Sequence, residues 1–273
     1  MKLIARGRVL EKDIAIMGVV NVTPDSFYAN SRAGGIEQAI TLGLEMCSSG
    51  ADIVDIGGES SRPGADPVPV EEEIDRVVPV IEAIREINPQ IFISVDTYHP
   101  ETAKKALEAG ADIINDITGF RDENMLDLAA ESGAAIVIMH MKGTPKTMQK
   151  APYYEDVVDE VNSFLLDRIR AALKRGIDSH SLVLDPGIGF GKRFEDNIEL
   201  LKNIGVFKSA GFPVLIGHSR KSFIGNILDL PPEERLEGTL AVSAYCFFRG
   251  VDILRVHDVK ENVRLLKTLR YFK

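Results

Sequence analysis

The chain has 273 residues, 45% hydrophobic and 27% charged, an ordinary globular composition, and no apolar run approaches the ~20 residues that a membrane-spanning helix needs. A formal net charge of −9 argues against nonspecific attraction to nucleic acid or an anionic membrane, which both need a basic surface, yet leaves room for a small anionic ligand in a locally positive pocket. The opening MKLIARGRVLEKD is interrupted by Arg6, Arg8 and Glu11 before any signal-peptide core forms, so a cytoplasmic protein is expected.

In chain order, a short hairpin is predicted over Leu3 to Val9. Apolar runs of strand length then alternate with helical patterns. The runs are IAIMGVVN to Asn21, DIVDIGG to Gly58, IFISVDT to Thr97, DIINDI to Ile117, AIVIMHM to Met141, LVLDPG to Gly187, PVLIGHS to Ser219 and DILRVH to His257. Between them lie stretches such as VEEEIDRVVPVIEAIREI and YEDVVDEVNSFLLDRIRAALKRG, with apolar residues near i, i+3, i+4 and i+7. Gly50, Gly110, Gly133, Gly176 and Gly250 close helical stretches, as left-handed C-caps do. Eight such units on about 250 residues are the count of a (β/α)8 TIM barrel, and near-continuous Val/Ile runs suit strands buried on both faces. An open doubly wound sheet is the alternative; DIGGES lacks the spacing of a dinucleotide fingerprint. No linker, repeat or low-complexity segment divides the chain, so 1–273 is read as one domain. Cys47 and Cys246, in amphipathic helical stretches, read as reduced, small apolar residues.

Active sites of such barrels form at the C-terminal strand ends. Those positions are Asn21; Glu59 with Ser60, Ser61 and Arg62; Asp96 and Thr97; Asn115 and Asp116; His140; Asp185; Ser219 with Arg220 and Lys221; and Arg255 with His257. Polar residues begin wherever a strand meets solvent, but Asp96, Asn115 and Asp185 lie within or directly after apolar runs, where an unpaired carboxylate costs several kcal/mol. Together these three suit a flat heterocycle carrying amino and ring N–H donors, and Lys221 adds a donor for a carbonyl or ring nitrogen. Arg255 and His257, with Asn21 and the Ser61 hydroxyl, suit phosphate oxygens and a hydrated divalent cation. Two segments, NVTPDSFYANSRAGG and GESSRPGADPVPVEEE, are longer than a barrel turn requires and read as lids.

Seven motifs in order, NVTPDSF, GGESSRPG, SVDT, INDI, LDPGIGFGK, GHSRKSFIG and RVHD, make nearly the whole chain resemble the dihydropteroate synthase family. The resemblance implies a pterin-methyl pyrophosphate as electrophile, 4-aminobenzoate as nucleophile, Mg2+ on the pyrophosphate and a homodimer. By position it implies that Asp96, Asn115, Asp185 and Lys221 hold the pterin, in a slot shaped by Ile117, Met139, Phe190 and Gly217. It gives Asn21 to the metal and the pyrophosphate, Ser61, Arg255 and His257 to the pyrophosphate, and Phe27, Arg62, Pro63, Lys221 and Ser222 to the aminobenzoate. Asp96, Asp185, Lys221, Arg255 and His257 are the implied catalytic set. His99, His140 and His180 read as structural, with His218 left open. Two departures stand out: Ala29 replaces the acid usual two places after Phe27, so that its role falls to Asp25, or to Asn30 and Ser31, or is dropped, and ESSRPG replaces ESTRPG at the cost of a methyl. A methyltetrahydrofolate-dependent corrinoid methyltransferase and a non-catalytic pterin-binding protein are the rival readings.

Overall fold

A computed structural model describes residues 1–22, 32–62 and 64–272. The expectations placed on Phe27, Pro63, Asp25, Ala29, Asn30 and Ser31 lie outside the described residues. A hairpin of β1 (Lys2–Ala5) and β2 (Arg8–Glu11) precedes eight parallel strands: β3 (Ala15–Asn21), β4 (Ile53–Gly57), β5 (Phe92–Asp96), β6 (Ile113–Asp116), β7 (Ala135–Met139), β8 (Leu182–Asp185), β9 (Leu215–Ile216) and β10 (Ile253–Val256). They pair in the order β8-β7-β6-β5-β4-β3-β10-β9, and a parallel bridge between Leu184 and Val214 joins the two ends into a ring. The open-sheet alternative is thereby overturned.

The Val/Ile runs bury both faces of the strands, one toward the helices and one toward the barrel axis. The helices outside are α1 (Arg32–Ser49), α2 (Val70–Ile87), α3 (Pro100–Glu108), α4 (Glu123–Ser132), α5 (Val157–Lys174), α6 (Phe194–Lys202), α7 (Ile204–Lys208), α8 (Ser222–Leu228), α9 (Leu236–Phe248) and α10 (Val259–Leu269). All five glycines expected as C-caps have positive φ, the conformation in which a Cβ is penalised. Most strands end one or two residues before the expected ends, and two boundaries differ by more. Helix α1 begins at Arg32, so the end of the first long segment is helical. Strand β9 is shortened because Pro213 has no N–H to give the ladder; its carbonyl oxygen instead accepts from Leu184 N at 2.8 Å.

The hairpin stops the N-terminal end of the barrel. Leu3, Ala5 and Leu10 join Ala15, Met17, Ile53, Phe92, Ile113, Ala135, Val137, Val183, Leu215 and Ile253 in one buried cluster inside the ring. Asp112, at the same end, accepts from Arg8 Nη1 at 2.7 Å, Arg85 Nη2 at 2.6 Å and Ile93 N at 2.9 Å. Polar side chains inside the ring begin above this apolar floor.

Candidate active site

Alternation along each strand decides which side chains enter the barrel. On β4, Ile53 belongs to the floor and Asp55 stands two residues higher; on β5 the sequence is Phe92, Ser94, Asp96; on β6 it is Ile113, then Asn115. Register places Asp55 beside Ser94, and Asp96 beside Asn115. Asp116 therefore points the other way. Its oxygens accept from Thr118 N and Oγ1 and from Phe120 N, fixing the turn after β6 rather than meeting a ligand.

Arg255 is the centre of the constellation. Its Nε donates to Asp55 Oδ2 and its Nη2 to Asp96 Oδ2, both at 2.6 Å. Burial opposes a charge on this guanidinium, but Asp55 and Asp96 raise its pKa above the ordinary arginine value, so the cation is secure. Asp55, wholly buried, also accepts from Asn115 Nδ2 at 3.0 Å. A carboxylate accepts only, so the amide nitrogen of Asn115 faces Asp55 and its oxygen remains for a ligand N–H. Asp55 Oδ1 and Ser94 Oγ are buried without a hydrogen-bond partner among the described residues. Sequence reasoning missed Asp55: inside DIVDIGG it reads as one polar interruption of a core strand.

Burial pushes Asp96 up to about 7, against the pull of Arg255 and with the push of Asp55. Burial likewise raises Asp185, whose Oδ1 accepts from Gly187 N at 2.7 Å. Lys221 is lowered to about 7 by burial and then by Arg255; its Nζ stands 3.9 Å from the centroid of the Phe190 ring. Three carboxylates and two cations thus share one partly enclosed space. Ile117, Met139 and Phe190 form a single buried cluster with Met141 and Met148, and Tyr98 packs on its edge. A methyl at Gly217 would meet Arg255 Cβ and Cδ at 3.9 Å, so the residue keeps the wall beside Arg255 flat. Met148 comes from the long segment between β7 and α5, a third wall that was not expected from sequence. That segment touches the loop after β4, with Gly64 N donating to the Pro145 carbonyl oxygen at 3.1 Å.

The rim holds the other expected residues. Asn21 ends β3 half-buried, Ser61 is half-buried, and Arg62 and Ser222 are exposed. His257 takes a hydrogen bond on Nδ1 from Ser219 Oγ at 3.0 Å, while its own backbone N–H donates to that oxygen at 3.2 Å. With the hydroxyl proton directed to Nδ1, the arrangement that spends both the donor and an acceptor of Ser219 on His257, the ring proton sits on Nε2. The surrounding protein and the adjacent Arg255 both disfavour protonation, so this imidazole is neutral although open to solvent.

The loop after β9 is braced independently. Arg220 has φ 57, a costly conformation held by bonds to Asp258 at 2.9 and 2.6 Å and by Arg235 Nη1 on its carbonyl oxygen at 3.0 Å. His218, the histidine left open, is a buried strut: Nε2 donates to Ser243 Oγ at 2.8 Å, and Ser243 donates to Asn262 Oδ1 at 2.6 Å. His99 bonds Glu73, His180 bonds Asp178, and His140 bonds Lys192, all away from any metal set.

Among the described residues no three His, Cys, Asp or Glu side chains cluster as a metal cage. Mg2+ in nucleotide-like sites commonly uses one or two protein oxygens plus phosphates and water, and the neutral amide oxygen of Asn21 at the rim is a donor of the right hardness. The residues present fit a diphosphate-borne Mg2+ in that limited sense.

With the geometry in place, the similarities are extensive. The family model described as pterin binding enzyme matches residues 17–257. The dihydropteroate synthase of Escherichia coli is 44% identical over 270 residues, covering 98% of this chain and 95% of its own. A solved dihydropteroate synthase from Xanthomonas albilineans with 4-aminobenzoic acid superposes with a TM-score of 0.92 at 44% identity, covering 99% of this chain and 97% of that one. A structure from the same organism in complex with 7,8-dihydropteroate gives a TM-score of 0.91 at 41% identity, covering 100% and 98%.

Proposed function

The chain belongs to the dihydropteroate synthases, transferases that join 6-hydroxymethyl-7,8-dihydropterin pyrophosphate to 4-aminobenzoate, and we propose that its own barrel mouth divides that reaction as follows. Asp96, Asp185 and the Asn115 oxygen accept from the pterin ring and amino N–H groups, and Lys221 donates to its acceptor edge. Ile117, Met139, Phe190 and Gly217 enclose the ring plane. The observation that carries this reading is the Arg255 guanidinium braced between Asp55 and Asp96, a fixed cation beside carboxylates in a poorly hydrated space.

The reaction is a dissociative displacement. The bond between the pterin methylene carbon and oxygen breaks, the electron pair leaves with pyrophosphate, and positive charge develops on the methylene. The carboxylates of Asp96 and Asp185 stabilise that charge in a low-dielectric setting without reorganising. Arg255, His257 Nε2–H and the Ser61 hydroxyl donate to the departing pyrophosphate oxygens. Mg2+, held in part by Asn21, would neutralise charge on the same leaving group. The aniline nitrogen then forms the new C–N bond with its lone pair and loses one proton to water. Arg62, Ser222 and the Lys221 stem border the aminobenzoate. No covalent enzyme intermediate is required.

Incubating the purified chain with the pterin pyrophosphate, 4-aminobenzoate and Mg2+ tests the proposal. Release of pyrophosphate that depends on aminobenzoate supports it; a corrinoid methyltransferase or a mere binder releases none above background. The cytoplasmic setting is proposed with the function; among the described residues no helix is long and apolar enough to cross a membrane. The homodimer is supported by Ile227, Leu228 and Phe248, large apolar side chains left exposed on α8 and α9, and sedimentation would test it.

A further inference from the structure

Lys192 has no part in the chemistry above, yet its side chain is only 3% exposed and it stands where two walls of the pocket meet. Nζ lies 3.0 Å from the Phe190 carbonyl oxygen, 3.2 Å from the His140 carbonyl oxygen and 3.0 Å from His140 Nδ1. Three acceptors match the three N–H bonds of an ammonium, given a neutral His140 with its lone pair on Nδ1. Burial, with Lys192 beside it, lowers the His140 pKa and keeps the ring in that state. Burial lowers the Lys192 pKa to about 7, opposed by the charges of Asp185 and Asp196, and the hydrogen bonds that hold the ammonium come from the two carbonyl oxygens and the ring nitrogen.

The two backbone turns joined in this way are closely fitted. A methyl at Gly187 would lie 2.0 Å from the His140 carbonyl oxygen, and one at Gly191 would lie 2.4 Å from the Lys142 carbonyl oxygen. His140 N also donates to the Asp185 carbonyl oxygen at 3.0 Å. One turn follows β7 and brings Met139 and Met141; the other follows β8 and brings Asp185 and Phe190. If ordinary packing were all that was needed here, an apolar side chain would serve without the cost of burying an ammonium.

We propose that Lys192 is a positioning residue for the pterin pocket: its ammonium clamps the turns after β7 and β8 and sets the height of the Phe190 ring against Met139. The proposal rests on the pterin reading above. The backbone beside Lys221 is held separately by its neighbour Arg220 bonding Asp258; the Lys221 ammonium rests on Phe190 and so shares the pterin side of the clamp, whereas Arg62 and Ser222, which border the aminobenzoate, lie on other segments.

K192M keeps the length of the side chain and removes all three donors. It should raise KM for the pterin pyrophosphate about tenfold or more while KM for 4-aminobenzoate stays within about twofold. K192R, which restores donors, should recover part of the loss. H140Q, which alters one acceptor and leaves Lys192 in place, should shift the same KM by about threefold and serves if K192M does not fold. A K192M enzyme with wild-type KM for the pterin, or with both KM values raised equally, overturns the proposal, as does a variant that loses melting temperature alone. Failure of the wild-type chain to release pyrophosphate would instead remove the pterin reading beneath it.

Discussion

Replacing Asp55 with Asn removes one charge from the centre of the site and keeps its shape. The native Oδ2 serves both Arg255 Nε at 2.6 Å and Asn115 Nδ2 at 3.0 Å, with the side chain wholly buried. An amide oxygen can occupy the same place, so both contacts survive as neutral-acceptor bonds. A charge-assisted bond is worth about 1.5–3 kcal/mol and a neutral one about 0.5–1.5; Arg255 remains a charged donor, so only the Asn115 bond is fully downgraded, by about 1–1.5 kcal/mol. At about 1.4 kcal/mol per decade, kcat/KM should fall by about tenfold. The pH profile should move as well. Asp55 raises the pKa of Asp96, which burial has already brought to about 7. Below that pKa Asp96 is protonated and loses the negative charge assigned to stabilising the methylene cation, so activity rises with pH through it; removing the Asp55 charge lowers the pKa and carries the acid limb toward lower pH. Pyrophosphate release measured from about pH 5 to about pH 9 at saturating aminobenzoate reads both effects. A D55N enzyme within about threefold of wild type, with its acid limb unmoved, would refute the reasoning.

On the proposed role of His257 as a neutral N–H donor, H257Q should raise KM for the pterin pyrophosphate by only about threefold, whereas H257A should raise it by about tenfold or more. Chelation of divalent metal should stop pyrophosphate release and added Mg2+ restore it, and N21A should require about tenfold more Mg2+ for half-maximal rate. At the opposite end of the barrel, D112A removes the carboxylate shared by Arg8 and Arg85, which keep backbone carbonyl partners, and should cost about 1–3 kcal/mol of stability by chemical denaturation, with both KM values unchanged.

Much of this was legible from sequence because local rules and global closure agree. Val/Ile runs ending in Asp96, Asn115 and Asp185 announce both a strand and the end of it that carries the candidate site. Asp116, one residue along, was indistinguishable from Asn115 until the pleat assigned it to the helix side. Asp55 could not be read, because what joins it to the candidate site is a guanidinium 200 positions away that only the closed ring brings to 2.6 Å. Arg255 was read from its place on the last strand as a phosphate ligand, whereas two of its nitrogens are engaged by carboxylates of β4 and β5. Lys192 follows a glycine and resembles any solvated lysine; its burial depends on turns contributed by other strands.

The apolar stopper of Leu3, Ala5 and Leu10 turns the cylinder into a cul-de-sac. Among the described residues the floor is closed, so a ligand settled deepest on the proposed reading would arrive first and depart last. A bulky second guest parked near the threshold would trap the first as effectively as it would bar a newcomer.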